Sequence, residues 1–90
     1  MIHNSTRTAK NELNIIVTKL RSLREDLMKR EKVVQSLLNE PSLSSEERVG
    51  ILTVINSLDL LWHRLDSMEA DLVFSQEFLK TLEGKNATIQ

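Results

Sequence analysis

The sequence contains no cysteine and no tyrosine, and it has a single proline among its 90 residues. The absence of cysteine excludes disulfides, thiolate metal sites and cysteine nucleophiles together. Aromatic residues make up 3% of the chain, which is little for a compact core. We therefore expect a fold held together by aliphatic side chains at regular spacing, and a reducing, intracellular setting.

Long hydrophobic runs and a strong charge of one sign are missing as well. No apolar run approaches the length of a membrane span, and residues 1–14 lack the apolar centre of a signal peptide. The formal net charge is −1, so no overall field draws the chain towards nucleic acid or a lipid surface. These features predict a soluble protein, cytoplasmic rather than nuclear, with neither nucleic acid nor a membrane as its partner.

Residues that could carry catalysis or hold a metal are sparse. His63 has Asp59 and Asp66 within one helical turn, but no second histidine follows at helical spacing. The two glycines stand alone, so there is no phosphate-binding loop. We expect no enzyme activity, small-molecule substrate, cofactor or metal. The role of His63 stays open between a surface ion pair and the beginning of a metal site.

What the sequence does contain is helical periodicity. The pattern predicts a first helix over about residues 10–39, preceded by a flexible N-terminal arm over residues 1–9. Whether residues 2–9 instead extend this helix stays open. Its apolar residues form two heptad rows, one of Leu13, Leu20, Leu27 and Val34 and one of Ile16, Leu23 and Leu37. Arg30 interrupts the second row. Either its aliphatic stem packs while its head reaches water, or it is a buried ion that fixes register or partner.

The break between two helices is the clearest local signal. Pro41 ends the first helix and predicts a turn over 40–43. Ser44 with Glu47 three residues later is a capping box that starts a second helix. A connection this short favours antiparallel neighbours.

The second helix is predicted over about 45–83. Gly84 offers a left-handed residue that would end it, and residues 85–90 follow as a flexible tail. The sequence thus predicts one helical hairpin domain over residues 10–84.

The apolar seam of the second helix is ambiguous after Leu65. A regular heptad repeat would bury Glu69 and Gln76. A shift by one residue would bury Met68, Leu72, Leu79 and Leu82 instead. Because a buried glutamate is costly, we predict the shifted seam.

Length and charge distinguish the two helices. The second is longer, so its last turns, with Phe78, Leu79 and Leu82, should overhang and need cover from the N-terminal arm or another chain. Residues 10–40 carry a net charge of +2 and residues 44–83 a net charge of −5, which favours pairing of unlike helices. The predicted fold is all-α: a long antiparallel, coiled-coil-like hairpin, completed into a four-helix-type bundle by self-association or by a partner.

The spacing Leu58-x-x-x-Trp62-x-x-Leu65 resembles the third helix of a spectrin repeat. The leucine-rich end of the first helix, which closes with L-L-N-E-P, resembles the second helix of that repeat. The resemblance covers about half of the chain. It departs at Leu72, where a repeat carries arginine, and the repeat's first helix is absent. A helical co-chaperone module of the BAG type is a further analogy, but its basic helix signature is missing after Leu72.

Two functions fit these features. The first is a non-catalytic scaffold or adaptor subunit that assembles through its heptad-patterned helices, as a homo-oligomer or in a heteromeric helical complex. The second is a monomeric regulatory binding module, co-chaperone-like or spectrin-repeat-like, that presents one helical face to a partner protein. The candidate protein-interface residues are Arg30, Trp62, Met68, Leu72, Phe74, Phe78, Leu79 and Leu82.

Overall fold

The computed structural model describes the backbone of residues 4–88 and the side chains of residues 4–84. It consists of two long helices, α1 over Asn4–Ser36 and α2 over Ser45–Thr88, with a short 3-10 turn over Leu37–Asn39 between them. No strand occurs among these residues. The predicted all-α fold and antiparallel helical hairpin are confirmed.

The turn between the helices is shaped by proline and closed by a glutamate. Glu40 has an extended backbone (φ −71°, ψ 115°), as expected for the residue before Pro41. The backbone N–H and the hydroxyl of Ser42 both donate to Glu40 Oε1, at 3.3 and 2.8 Å. These hydrogen bonds, the hydroxyl's first, lower the pKa of Glu40.

The start of α2 is the capping box that the sequence predicts. Ser44 N donates to Glu47 Oε1 and Glu47 N donates to Ser44 Oγ, each at 3.1 Å. One turn further, Arg48 Nη1 donates to the carbonyl of Leu38 at 3.0 Å. The first turn of α2 is therefore tied to the end of the preceding 3-10 turn.

Both helices extend further than the sequence predicts. α1 begins at Asn4 instead of near residue 10, and α2 continues to Thr88 instead of ending near residue 83. Gly84 has no positive φ, and a glycine inside a helix costs only about 1 kcal/mol relative to alanine. Of the two alternatives for the N-terminal segment, residues 4–9 extend α1, whereas the tail predicted from residue 85 is wrong over 85–88, which are helical. The rest of both segments, residues 1–3 and 89–90, lies outside the described residues.

The chain divides into two compact units, and each is described by itself. The terminal unit consists of Met1–Arg21 and Ser67–Gln90, and the turn unit consists of Ser22–Asp66. In each unit a part of α1 packs antiparallel to a part of α2. The buried hydrophobic side chains are Val17 in the terminal unit and Leu27, Ile55 and Leu65 in the turn unit.

In the terminal unit, the beginning of α1 reaches the end of α2. Lys10 Nζ lies 2.8 Å from Glu83 Oε2. Leu79 and Leu82 are both half-buried. Of the two covers predicted for this stretch of α2, the N-terminal segment therefore reaches its end, as part of α1, while Phe78 remains exposed.

Candidate protein-interaction site

The residues that α1 and α2 turn towards each other follow a regular heptad. In α1 the residues that are not exposed recur at alternating steps of three and four, and we name these rows a and d. Row a of α1 contains Lys10, Val17, Arg24 and Glu31, and row d contains Thr6, Leu13, Leu20, Leu27 and Val34. In α2, row a contains Arg48, Ile55, Trp62, Glu69, Gln76 and Glu83, and row d contains Ile51, Leu58, Leu65, Leu72 and Leu79.

One of the two apolar rows predicted for α1 is not used in the hairpin. The row of Leu13, Leu20, Leu27 and Val34 is confirmed as row d. The second predicted row is wrong, because Ile16, Leu23 and Leu37 are each half-exposed. The hairpin uses Val17 and the polar residues of row a instead, since these find partners across the helix pair.

The predicted shift of the seam in α2 is wrong at Met68 and Glu69, whereas Leu72, Leu79 and Leu82 are half-buried as predicted. The side chain of Glu69 is 14% exposed, whereas Met68 is 53% exposed. Glu69 Oε1 lies 3.3 Å from Arg21 Nε, and Gln76 Nε2 donates to Asn14 Oδ1 at 2.7 Å. Because both polar groups have partners, the cost of turning them inwards is offset and the repeat continues unbroken.

One flank of the helix pair is polar. In the turn unit, Arg24 Nη1 lies 2.8 Å from Asp66 Oδ1. Glu31 and Asp59 approach closely enough to share a hydrogen bond, which raises the pKa of Glu31, with desolvation and the charge of Asp59 adding to the effect. We name this side the e flank, because Asp59 and Asp66 occupy the heptad position that follows row d.

Trp62 belongs to the interior of the turn unit. Its side chain is half-buried in row a, and the guanidinium carbon of Arg24 lies 5.6 Å from its ring centroid. His63 meets the indole edge-on, with centroids 5.4 Å apart and planes at 87°. Arg24 therefore joins Trp62 to Asp66 by a cation–π contact and an ion pair.

The opposite side of the helix pair, which we name the g flank, is mostly apolar. It is formed by the residues that precede the members of row a. In the turn unit these are Leu23, Arg30, Glu47, Val54 and Leu61, continued by Leu37, and in the terminal unit they are Ala9, Ile16, Met68, Ser75 and Leu82. In an antiparallel pair the g rows of the two helices lie on the same side. The large apolar members other than Leu82 are exposed.

In the turn unit the g flank contains a groove. It has a volume of about 460 Å³. Its lining is mainly apolar and comes from both helices and the turn, with one charged residue, Glu47: Val34, Leu37, Leu43, Glu47, Gly50, Ile51 and Val54. Leu37 and Val54 belong to the two g rows, so both rows border the same groove. A concave apolar strip of this kind fits the side chains of a further helix.

In the terminal unit, two phenylalanines lie on the outside of α2. Phe74 is 75% exposed, and with Ser75, Phe78 and Leu79 it lines a second groove of about 400 Å³. Exposed aromatic side chains are common anchors at protein interfaces.

The eight predicted interface residues are thus divided by the structure. Trp62, Leu72 and Leu79 pack in the a and d rows of the hairpin, whereas Met68 and Leu82 lie in the g row of α2. Phe74 and Phe78 face outwards. Sequence reasoning left Val54 and Leu61 out of this set, although their seven-residue spacing with Met68 is a signal that could have identified them.

Arg30 is exposed. Its Nε lies 3.6 Å from Asp26 Oδ1 in the same helix, and its side chain is 75% exposed. Of the two interpretations of Arg30, a stem that packs beneath a hydrated head agrees with this position. A charge buried within its own chain does not.

A metal-binding cluster is absent from the part of the chain that the structure describes. Among residues 4–88 there is no group of three or more histidine, aspartate or glutamate side chains placed to hold a metal ion. Asp59 and Asp66, the acids nearest to His63 in sequence, face Glu31 and Arg24 of α1. No described helix combines the length and the hydropathy needed to cross a membrane.

Comparison of the chain with family models, with curated proteins and with solved structures gives no match.

Proposed function

We propose that the protein is a non-catalytic scaffold or adaptor subunit, which joins other α-helices through its g flank into a helical bundle. The observation that supports this most directly is the apolar g row, which is present on both helices and borders one groove in the turn unit. We place the assembly in the cytoplasm on the composition of the sequence.

The hairpin buries few side chains. Among residues 4–84, four hydrophobic side chains are buried, and one of them, Val17, is almost fully enclosed. Leucines and valines that remain half-exposed would each contribute about 1 kcal/mol if a partner covered them. A partner on the g flank therefore supplies stabilisation that a small two-helix unit lacks.

The spacing of the exposed residues indicates a helical partner. Val54, Leu61 and Met68 recur every seven residues along α2, which matches the repeat of a second helix packed in the same direction or its reverse. The e flank has less to gain from such a partner, because Arg24 and Asp66 already pair there.

A regulatory module that acts as a monomer is the second candidate. Phe74 favours it, because this aromatic side chain lies on the outer side of α2, away from the g row, and a bundle formed through the g flank leaves it open. A partner protein that docks on one helical face would find its anchor there.

Adjacent leucines provide a matched test. Leu61 is on the g flank and is 43% exposed, whereas Leu60 is on the outer side of α2 and is 59% exposed. A photo-crosslinking amino acid is placed at either position in the full chain, in the cells that make the protein. We expect a discrete covalent protein adduct from position 61 and none from position 60.

The pattern of adducts decides between the candidates. Equal labelling at both positions, or none at position 61, would contradict the scaffold proposal. A discrete adduct from a crosslinker at Phe74, with none at Leu61, would favour the regulatory module instead.

A further inference from the structure

We infer that the occupant of the g flank is a second copy of this chain, packed flank to flank with its turn at the same end. This inference rests on the proposed function. It adds the identity of the partner helices and their direction. Residues of the turn unit support it, and residues of the terminal unit support it independently.

The register of the turn unit fixes which residues lie at the same level. Arg24 Nη1 lies 2.8 Å from Asp66 Oδ1, and the residue numbers of this pair add up to 90. Residues of α1 and α2 that satisfy this relation therefore lie side by side along the unit.

Two residues of opposite charge lie at the same level, one on each border of the g flank. Asp26 in α1 and Arg64 in α2 have numbers that add up to 90, and each occupies the heptad position next to the g row on its outer side. Both are exposed, and Arg64 forms no ion pair with the other described residues. The g flank thus has an acidic edge and a basic edge at one level.

A two-fold axis parallel to the helices makes these edges complementary. The rotation places α1 of one copy against α2 of the other, with the levels unchanged, so that Asp26 faces Arg64 of the second copy and Arg64 faces its Asp26. Isologous two-fold contacts of this kind are the commonest form of protein association. One arrangement therefore forms two ion pairs.

The same rotation brings the apolar rows together. Leu37 lies within one residue of the level of Val54 of the second copy, and the stem of Arg30 lies within one residue of the level of its Leu61. The head of Arg30 remains beside Asp26, at the rim, where it can stay hydrated.

The terminal unit shows the same pattern on its own. Its register follows from Arg21 with Glu69 and from Asn14 with Gln76, whose numbers again add up to 90. Lys19 and Asp71 obey this relation and occupy the same outer border positions.

Charge disfavours the reversed direction. With the two turns at opposite ends, α1 would face α1 and α2 would face α2. Residues 10–40 carry a net charge of +2 and residues 44–83 a net charge of −5, so both contacts would join like charges. The parallel axis joins unlike helices instead.

Charge reversal tests the pairing. The dissociation constant of the dimer is measured by sedimentation for Asp26→Arg, Arg64→Asp and the double variant. Each single variant should weaken the dimer about tenfold, because two attractions become two repulsions, and the double variant should restore it. Lys29→Glu, on the outer side of α1, should leave the constant unchanged.

Turn-to-turn distance tests the direction. The chain has no cysteine, so Ser42→Cys can be labelled at one position with donor and acceptor dyes. Efficient energy transfer between the two chains of the dimer is expected. A dimer that shows no energy transfer would overturn the parallel axis. The ion pairs would be overturned if the single variants left the dissociation constant unchanged, or if the double variant did not restore it.

The outcome also separates this inference from the proposed function. A chain that remains monomeric at all concentrations, yet gives an adduct with another protein from position 61, would overturn the second copy and leave the scaffold role standing. No adduct at position 61 would overturn both.

Discussion

Arg21 Nε lies 3.3 Å from Glu69 Oε1, at the point of α2 where the sequence predicts a shift of the seam to Met68. Glu69 can occupy row a because its charge is paired. Met68 is then left in the g row, where it is half-exposed. The inward position of Glu69 therefore leaves Met68 available to a partner.

Replacing Glu69 with leucine should stabilise the hairpin. The carboxylate is nearly buried while Arg21 stays largely hydrated, so Glu69→Leu removes a desolvation cost and leaves no buried charge behind. We expect the free energy of unfolding in urea to rise by about 1 kcal/mol. Glu77→Leu, at an exposed site of α2, should change it by less than about 0.5 kcal/mol. A loss of stability in Glu69→Leu would contradict the regular seam.

The helices, the turn and the capping box could be predicted from the sequence because each depends on local chemistry. Pro41 cannot continue a helix, and Ser44 with Glu47 satisfies the first amides of α2. Helix ends were less predictable, since Gly84 ends a helix only when the chain turns away, and here Lys10 and Glu83 hold the two ends together.

The choice of flank could not be predicted. In both helices row d lies between row a and the g row, and either of these could pack with row d against the other helix. By hydropathy alone, the apolar g row would be preferred. The hairpin uses row a because its polar members pair across the helices, as Arg24 does with Asp66. Such pairing depends on the register between two segments that are distant in sequence. The residue pattern of a single helix carries no information on that register.

Acidification should reveal the Glu31–Asp59 contact. The pKa of Glu31 is raised above 4.5 in the folded chain, so the folded state binds an extra proton between that raised value and the unfolded one. Its contribution to stability is complete below about pH 4.5 and is lost as pH rises through the folded pKa. Glu31→Gln should remove this loss, which makes the variant more stable than the parent at pH 7.

Thermal unfolding at a series of pH values checks this prediction. The difference between Glu31→Gln and the parent should grow as pH rises above about 4.5. Glu25→Gln, at an exposed site in the same helix, is the control. A difference that does not change with pH would contradict the shared hydrogen bond.

Loss of the capping box should weaken the start of α2. Ser44→Ala removes the hydroxyl that accepts from Glu47 N, and such a change costs about 1 kcal/mol in the free energy of unfolding. Ser67→Ala, inside the same helix and exposed, should be neutral or slightly stabilising because alanine is the better helix former. Equal effects of the two substitutions in urea unfolding would exclude a role for the cap.

Arg30→Leu should strengthen self-association. The substitution completes the apolar g row of α1 and removes a charge that must stay hydrated at the rim. We expect the dissociation constant of the dimer, measured by sedimentation, to fall about tenfold, since one leucine is added to each side of the contact. An unchanged constant would mean that Arg30 lies outside the interface.

The most direct test of the g flank is the mass of the chain in solution by light scattering, measured for the parent, Leu61→Arg and Leu60→Arg at micromolar concentration. A positive charge at Leu61 would lie inside the apolar contact and close to Arg30 of the second copy, whereas the same charge at Leu60 would lie in water. We predict twice the 10.3 kDa chain mass for the parent and for Leu60→Arg, and a single chain for Leu61→Arg. Equal masses for the two variants would contradict the g-flank contact.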